Sequence, residues 1–401
     1  TFNQIIKPKN VIVLEIIFRK LLQLNKYSIM KSIKTILFFA IAFAFQMSYS
    51  QGCESPGEGD GIKLWGFIQP QYEHTYTGVN GDRTSSLDTN GYFFNRARLG
   101  VMGNIPYDFS YYFIMEFAPA AGFGICDAYV SYDRYGEYFK AAVGQFKSPF
   151  GAEQIQGCHK LYTIDRSMVV NELAGPIRDM GITILGGTGD KIKMGEGVKN
   201  VIGYQFAIMN GEGRDVIGDD IEYKPLNDNY MTYISRLTFT PSKYITLGGS
   251  YQTGKFTPVS TTATEPDCRT RLGFDALIKY KNFTLQGEYI QGTDEGSYTT
   301  GGGCGGEVTT LEGSVDRSGY YFTALYKTKW KLEPVVKYET YDPDNSISGN
   351  TAIRWTTGIN YFFNEWTRLQ VNYQYNYADA AIPYGTPYQD VLQIQMQIVI
   401  K

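Results

Sequence analysis

Residues Asp390 to Lys401 read D-V-L-Q-I-Q-M-Q-I-V-I-K, which places Leu392, Ile394, Met396, Ile398 and Ile400 on one parity and Gln393, Gln395 and Gln397 on the other. Successive side chains of an extended strand point to opposite faces, so this is a strand with one apolar and one polar face. The alternation recurs: Leu369, Val371, Tyr373, Tyr375 and Tyr377 oppose Arg368, Gln370, Asn372, Gln374 and Asn376. Ile353, Trp355, Ile359, Tyr361 and Phe363 oppose Arg354, Thr356 and Asn360, and Phe283, Leu285 and Tyr289 oppose Gln286 and Glu288. Almost no stretch past residue 60 carries the 3.6-residue spacing of a packed helix. A long two-faced sheet leaves no unpaired edge only when it closes, which predicts an all-β, antiparallel transmembrane β-barrel.

The breaks between strands alternate in length, and that alternation predicts the topology. Short breaks rich in Pro, Gly, Asn and Asp fall at 105–108, 134–137, 240–243, 280–282, 328–329 and 363–365, with a somewhat longer one at 189–199. Longer polar or Gly-rich segments lie at 79–90, 119–123, 147–177, 210–229, 255–269, 292–316, 342–350 and 378–387. Seven turns and eight loops join about 16 strands, with short turns at one end and long loops at the other. Eight hairpins from roughly 350 residues leave about 44 residues each, enough for two spanning strands and their connections.

Composition agrees with a membrane barrel. The chain holds 33 Tyr and 24 Phe against 4 Trp, a supply of aromatics that suits girdles at both membrane interfaces. A mean hydropathy of -0.26 excludes a bundle of membrane-spanning helices, because each helix needs roughly 20 consecutive apolar residues. A soluble β-sandwich also alternates and is the competing fold. The export leader, the regular short-long connections and an apolar final strand favour the barrel.

That leader spans 30–50: Lys31 and Lys34 form a basic head, Ile36 to Phe45 an apolar middle, and Ser48-Tyr49-Ser50 a small-residue exit. Residues 1–29 precede a plausible initiator Met30 and read as a non-native upstream extension, 51–60 as a short N-terminal segment, and 61–401 as the barrel. The first 50 residues hold seven of the 37 basic residues and one of the 40 acidic ones, so the remainder carries 30 and 39, net -9. A net-acidic exported chain excludes nucleic acid as a partner, since phosphates demand basic patches.

Five cysteines allow pairing in an oxidising compartment. Cys268 and Cys304 lie in neighbouring long loops and are the first candidate pair; Cys126 and Cys158 are the second, leaving Cys53. No C-x-x-C spacing indicates a metal, and the acidic runs at 218–220 and 342–345 are ordinary loops or weak calcium sites. His74 and His159 sit in or beside loops without a nucleophile motif, so the chain reads as neither an enzyme nor the holder of a cofactor.

A barrel of about 16 strands is too wide for wall side chains to fill, and water occupies it unless a loop intrudes. The longest connection, 147–177, is the intruding candidate and sets the bore. Arg96, Arg98, Arg236, Arg271, Lys337, Arg354 and Arg368 fall on the polar parity, because a cation on the lipid face costs about 2 to 4 kcal/mol at mid-membrane. Each either guides anions or forms a wall salt bridge to an inward acid such as Glu116, Glu288, Glu333 or Glu339. A unit charge about 5 Å from a permeating anion is worth about 0.8 kcal/mol at water's dielectric, so several aligned arginines shift anion occupancy by about an order of magnitude.

The runs F-F-N-R-A-R-L-G (93–100), D-A-Y-V (127–130), G-Q-F-K-S-P-F-G (144–151), D-R-S (165–167) and R-D-M-G (178–181) resemble the phosphate-selective porin O and P family. The resemblance covers most of the chain past the leader and is sharpest over 91–187. It implies a homotrimer of 16-stranded barrels whose third loop narrows each pore and whose arginines and lysines guide anions. By that resemblance Arg96, Arg98 and Lys147 line the pore, with Arg166 and Arg178 beside them. Inward acids such as Glu116 and Glu339 are mixed with these bases.

The expectation is an outer-membrane porin that passes small hydrophilic solutes, with a preference for inorganic anions such as phosphate. Its partners are outer-membrane lipid, further copies of itself and the barrel-assembly machinery. A weakly selective or cation-preferring porin, and a structural surface barrel closed by its loops, stay open.

Overall fold

The computed structural model describes residues 61–77, 88–105, 107–194, 197–211, 213, 230–256, 266–301, 308–378 and 389–400. The leader, the upstream extension and the 51–60 segment fall outside these residues, as do Cys53 and Cys304, and with Cys304 the expected Cys268 pairing.

The strands are β1 (Lys63–Thr77), β2 (Thr89–Ile105), β3 (Phe109–Glu116), β4 (Gly124–Tyr132), β5 (Lys140–Lys147) and β6 (Arg178–Gly187). A small hairpin, β7 (Lys191–Met194) and β8 (Gly197–Asn200), precedes β9 (Ile202–Met209), β10 (Thr232–Ser242), β11 (Ile245–Phe256) and β12 (Asp267–Tyr280). Then come β13 (Phe283–Gly301), β14 (Val308–Tyr326), β15 (Leu332–Asp342), β16 (Ala352–Phe362), β17 (Thr367–Ala378) and β18 (Gln389–Ile400). Sixteen of them form one closed antiparallel barrel, with β7 and β8 paired apart from it between β6 and β9. Closure is direct: β18 pairs with β1 from Gly66↔Ile400 to Thr77↔Gln389, so no edge of the wall is left unpaired.

The parity read from the sequence is the parity of the wall. On β10, Leu237 is 63% exposed on the outside while its neighbour Arg236 is 4% exposed on the inside. Rings gather at the short-turn end, where Phe283 meets Tyr326 at 4.6 Å, Tyr244 meets Tyr280 at 5.5 Å and Phe109 meets Tyr132 at 5.2 Å. This is the aromatic girdle the composition anticipates.

Two expectations change. The segment 292–316 is largely strand, because β13 and β14 stay paired from Gly292↔Arg317 to Gly301↔Val308. Thr and Gly suit a solvated two-stranded ribbon as well as a loop, so these 19-residue strands outrun an apolar band of about 25 Å. The break at 189–199 is the β7–β8 hairpin, not a simple turn.

Candidate functional site

Residues 148–177, between β5 and β6, carry two short helices, α1 (Ala152–Ile155) and α2 (Met168–Leu173), with a 3-10 turn at Cys158–Lys160 between them. The segment packs on inward-facing side chains of the wall, from Glu288 of β13 to Asn372 of β17. It starts at Gly151, whose φ of 66° suits glycine and whose missing Cβ leaves room for the Glu288 carboxylate from β13. That carboxylate accepts from the backbone N–H of Ala152 and of Glu153, each at 3.2 Å, and from the Tyr321 hydroxyl at 3.2 Å. Glu153 in turn accepts from the N–H and hydroxyl of Ser167 at 2.8 and 2.6 Å, tying the two ends of the segment together.

One arc of wall holds the segment through rings. Trp65, Phe67, Met102, Tyr112, Ile114, Tyr129 and Phe146 of β1–β5 are buried in a single apolar cluster with Leu161, Val169 and Val170 of the loop. The His159 ring lies 5.1 Å from Trp65 and 5.4 Å from Phe67. His159 is therefore not the solvated loop residue its sequence position suggests, because this inner face is packed and not wet. His74 lies on β1, 3.5 Å from the Asp88 carboxylate.

The adjoining arc, β15–β18, reads the loop backbone with amides. Asn360 and Gln370 donate to the Tyr162 carbonyl at 2.9 and 3.5 Å, and Asn372 accepts from the Ile164 N–H at 2.8 Å. Gln374 and Gln393 donate to the Asp165 carboxylate at 3.0 and 2.7 Å, while Lys337 donates to the Asp165 carbonyl at 3.1 Å. The amides also bond to one another, as Gln395 to Gln370 at 3.2 Å and Gln69 to Gln397 at 2.8 Å.

Eight of the ten sequence-predicted cations divide into three places. Arg96, Arg98, Lys147, Arg166 and Arg178 gather around Cys158 and the β2–β6 arc. Arg98 donates to Glu116 at 2.7 Å and to the Cys158 sulfur at 3.2 Å, and Arg178 grips Asp127 through two 3.1 Å bonds. Lys147 donates to the carbonyls of Gln154, Ile155 and Gln156, the last at 2.6 Å. Arg166 holds the carbonyls of Glu153, Gln154 and Gln156, the last at 2.9 Å. Half-buried Arg96 donates to the Gln69 amide oxygen at 3.1 Å. Arg236 stands apart, doubly bonded to Asp275 at 2.6 and 3.0 Å. Arg354 pairs with Glu339 at 3.3 Å and Asn376 at 2.6 Å, and Arg368 donates to the carbonyls of Leu161 and His159 at 2.9 and 3.1 Å.

The second disulfide expected from the sequence does not form: Cys126 and Cys158 are both buried free cysteines. The Cys158 sulfur instead faces guanidinium donors, 3.2 Å from Arg98 and 3.6 Å from two nitrogens of Arg166. Its place in the basic cluster is invisible in the sequence, as is the docking of residues 159–165 on the amide face. Gln393, Gln395 and Gln397 signal a polar face but not what it holds. Among the described residues no group of side chains gathers to hold a metal.

The profile of the phosphate-selective porin O and P family matches residues 68–400. The chain belongs to the phosphate-selective porin O and P family. Membership makes it an outer-membrane porin, and the sixteen-stranded closed wall agrees. Solved structures share the porin's fold at low identity. The anion-selective porin from Comamonas acidovorans is 14% identical with a TM-score of 0.59, covering 85% of this chain and 99% of its own. The trimer form of OmpT, an outer membrane protein of Vibrio cholerae, is 10% identical with a TM-score of 0.55, covering 85% and 100%. OmpF of Salmonella typhi, in complex with daunomycin, is 11% identical with a TM-score of 0.56, covering 85% and 98%. Among curated proteins no relative matches the porin's sequence.

Proposed function

We propose that the porin passes small hydrophilic solutes passively and prefers anions such as phosphate, drawn past the third loop by the basic cluster. The observation that carries this is a local excess of cations. Glu116 and Asp127 answer Arg98 and Arg178, while Arg96, Lys147 and Arg166 have no carboxylate at ion-pair distance among the described residues. Arg96 is half-buried and spends its charge on a neutral amide, so it is the cation best placed to meet a solute. Arg236, Arg354 and Arg368 act chiefly as struts of the wall and loop in this reading. The porin works as a homotrimer, as the trimer form of OmpT does. A leader exports it, and the barrel-assembly machinery and outer-membrane lipid receive it.

A second reading is a barrel closed by its loop. It is favoured by the grip of residues 148–177 on both arcs, which leaves inward Gln69, Glu116, Asn372 and Gln395 fully buried. Bilayer recordings under a salt gradient, comparing chloride and phosphate in wild type and the Arg96→Ala/Arg98→Ala double variant, decide between them. Anion preference that falls in the variant is the expected result. Cation preference in wild type overturns the first reading, and absence of conductance establishes the second.

A further inference from the structure

We propose that the sulfur of Cys158 is a thiolate that serves as the built-in counter-anion of the basic cluster, limiting how strongly that cluster draws permeating anions. This deepens the anion-guiding reading and rests on it. The sulfur accepts from Nη1 of Arg98 at 3.2 Å and lies 3.6 Å from both Nη1 and Nη2 of Arg166. One guanidinium comes from the wall and the other from the loop, so two cations close on one atom. Cys158 is only 3% exposed, which removes most of the water that would otherwise screen them. A neutral thiol is a weak acceptor, whereas a thiolate accepts from several charged donors at once.

The charges around it need such a partner. Arg98 has Glu116 and Arg178 has Asp127, but Arg96, Lys147 and Arg166 have carbonyls and an amide for company. Buried cations without a counter-charge are strongly destabilising. The remaining titratable groups near the sulfur are otherwise engaged or distant. Glu153 is held by Ser167, Asp165 by Gln374 and Gln393, and the adjacent His159 ring by Trp65 and Phe67. Cys126 on β4 lies near Arg98 and Arg178, but no hydrogen bond joins its sulfur to either. Burial pushes the Cys158 thiol up, yet Arg98, Arg166, Arg96 and Lys147 outweigh it and hold the thiol well below its ordinary value.

The thiolate subtracts one unit from the positive charge of the cluster, and removing it restores that unit. Cys158→Ser therefore raises the preference for anions. One unit charge about 5 Å from the permeating ion shifts anion and cation occupancy about four-fold each in opposite directions, and so shifts the permeability ratio about 16-fold.

Two measurements on the refolded porin test this: the ultraviolet thiolate absorbance of wild type minus Cys158→Ser across pH, and reversal potentials of both in chloride and phosphate gradients. The expected results are a difference signal that persists well below the ordinary thiol value of about 8.5, and a permeability ratio that rises in the variant. A difference signal that emerges only above about pH 8.5, or an unchanged ratio in both Cys158→Ser and Cys158→Ala, overturns the proposal. Should the variants fail to fold, the absorbance lost when wild type is denatured at neutral pH reports the thiolate, and no loss overturns it. Arg96→Gln in the same recordings separates the two layers: an unchanged ratio there sinks the anion-guiding reading, while the absorbance still decides the charge on Cys158.

Discussion

The inner face of β1–β5 and the inner face of β15–β18 both grip residues 148–177, the first with rings and buried ion pairs and the second with amides. Rings bury area without regard to direction, so the first arc supplies adhesion. Amides bond only at set distances and angles, so the second arc fixes where each backbone group of 159–165 sits. Adhesion and registration are thus carried by different sectors of one wall. Arg96 lies at the seam, bonded to Gln69, which is itself bonded to Gln397 of β18.

The division of labour can be broken most sharply on the ring side. Phe67→Ala removes a fully buried ring beneath His159 and is expected to destabilise the barrel by about 4 kcal/mol in urea unfolding from detergent micelles. Next is Glu116→Gln, which leaves Arg98 buried without its carboxylate; about 3 kcal/mol of stability is lost in the same assay. On the amide side Asn372→Leu removes the acceptor of the Ile164 N–H and costs about 1 to 2 kcal/mol. If registration is its task, single-channel noise increases more than stability falls. Equal losses on the two sides would erase the distinction.

Changes outside the two grips are smaller and electrical. Arg96→Gln removes one charge at the seam, lowering anion occupancy about four-fold, or about 0.8 kcal/mol, and the anion-to-cation permeability ratio about 16-fold, with stability unchanged. The smallest effect comes from Lys199 on β8, which reaches the inward Thr246 hydroxyl at 3.4 Å. Burial, then Lys279 and Arg236, push its ammonium down to about 8. Lys199 is charged below that pH and neutral above it, so anion preference declines as pH rises through 8. Lys199→Gln is expected to hold the lower value at every pH, and a wild-type profile flat from neutral to alkaline pH would remove Lys199 from the account.

Two-residue alternation carried the barrel and the inward cations, because the parity of a strand is fixed by its covalent geometry, while the succession of short and long breaks carried the strand number. Arg236 beside Leu237 and the glutamines of β18 are on the faces their positions dictate. The family resemblance at 93–100 and 144–151 likewise rests on local runs that read the same before and after folding. What each inward group touches did not follow from parity. Lys147 and Arg166 fold back onto loop carbonyls, and Cys158 turns to Arg98 and Arg166 instead of Cys126. Arg98 is far from Cys158 along the chain, as Ile164 is from Asn372 and Gly151 from Glu288, and these meet only once the wall has closed around the loop. Periodicity acts between neighbours in sequence and so determined the cylinder; partner choice acts between neighbours in space, and only the tertiary structure decided it.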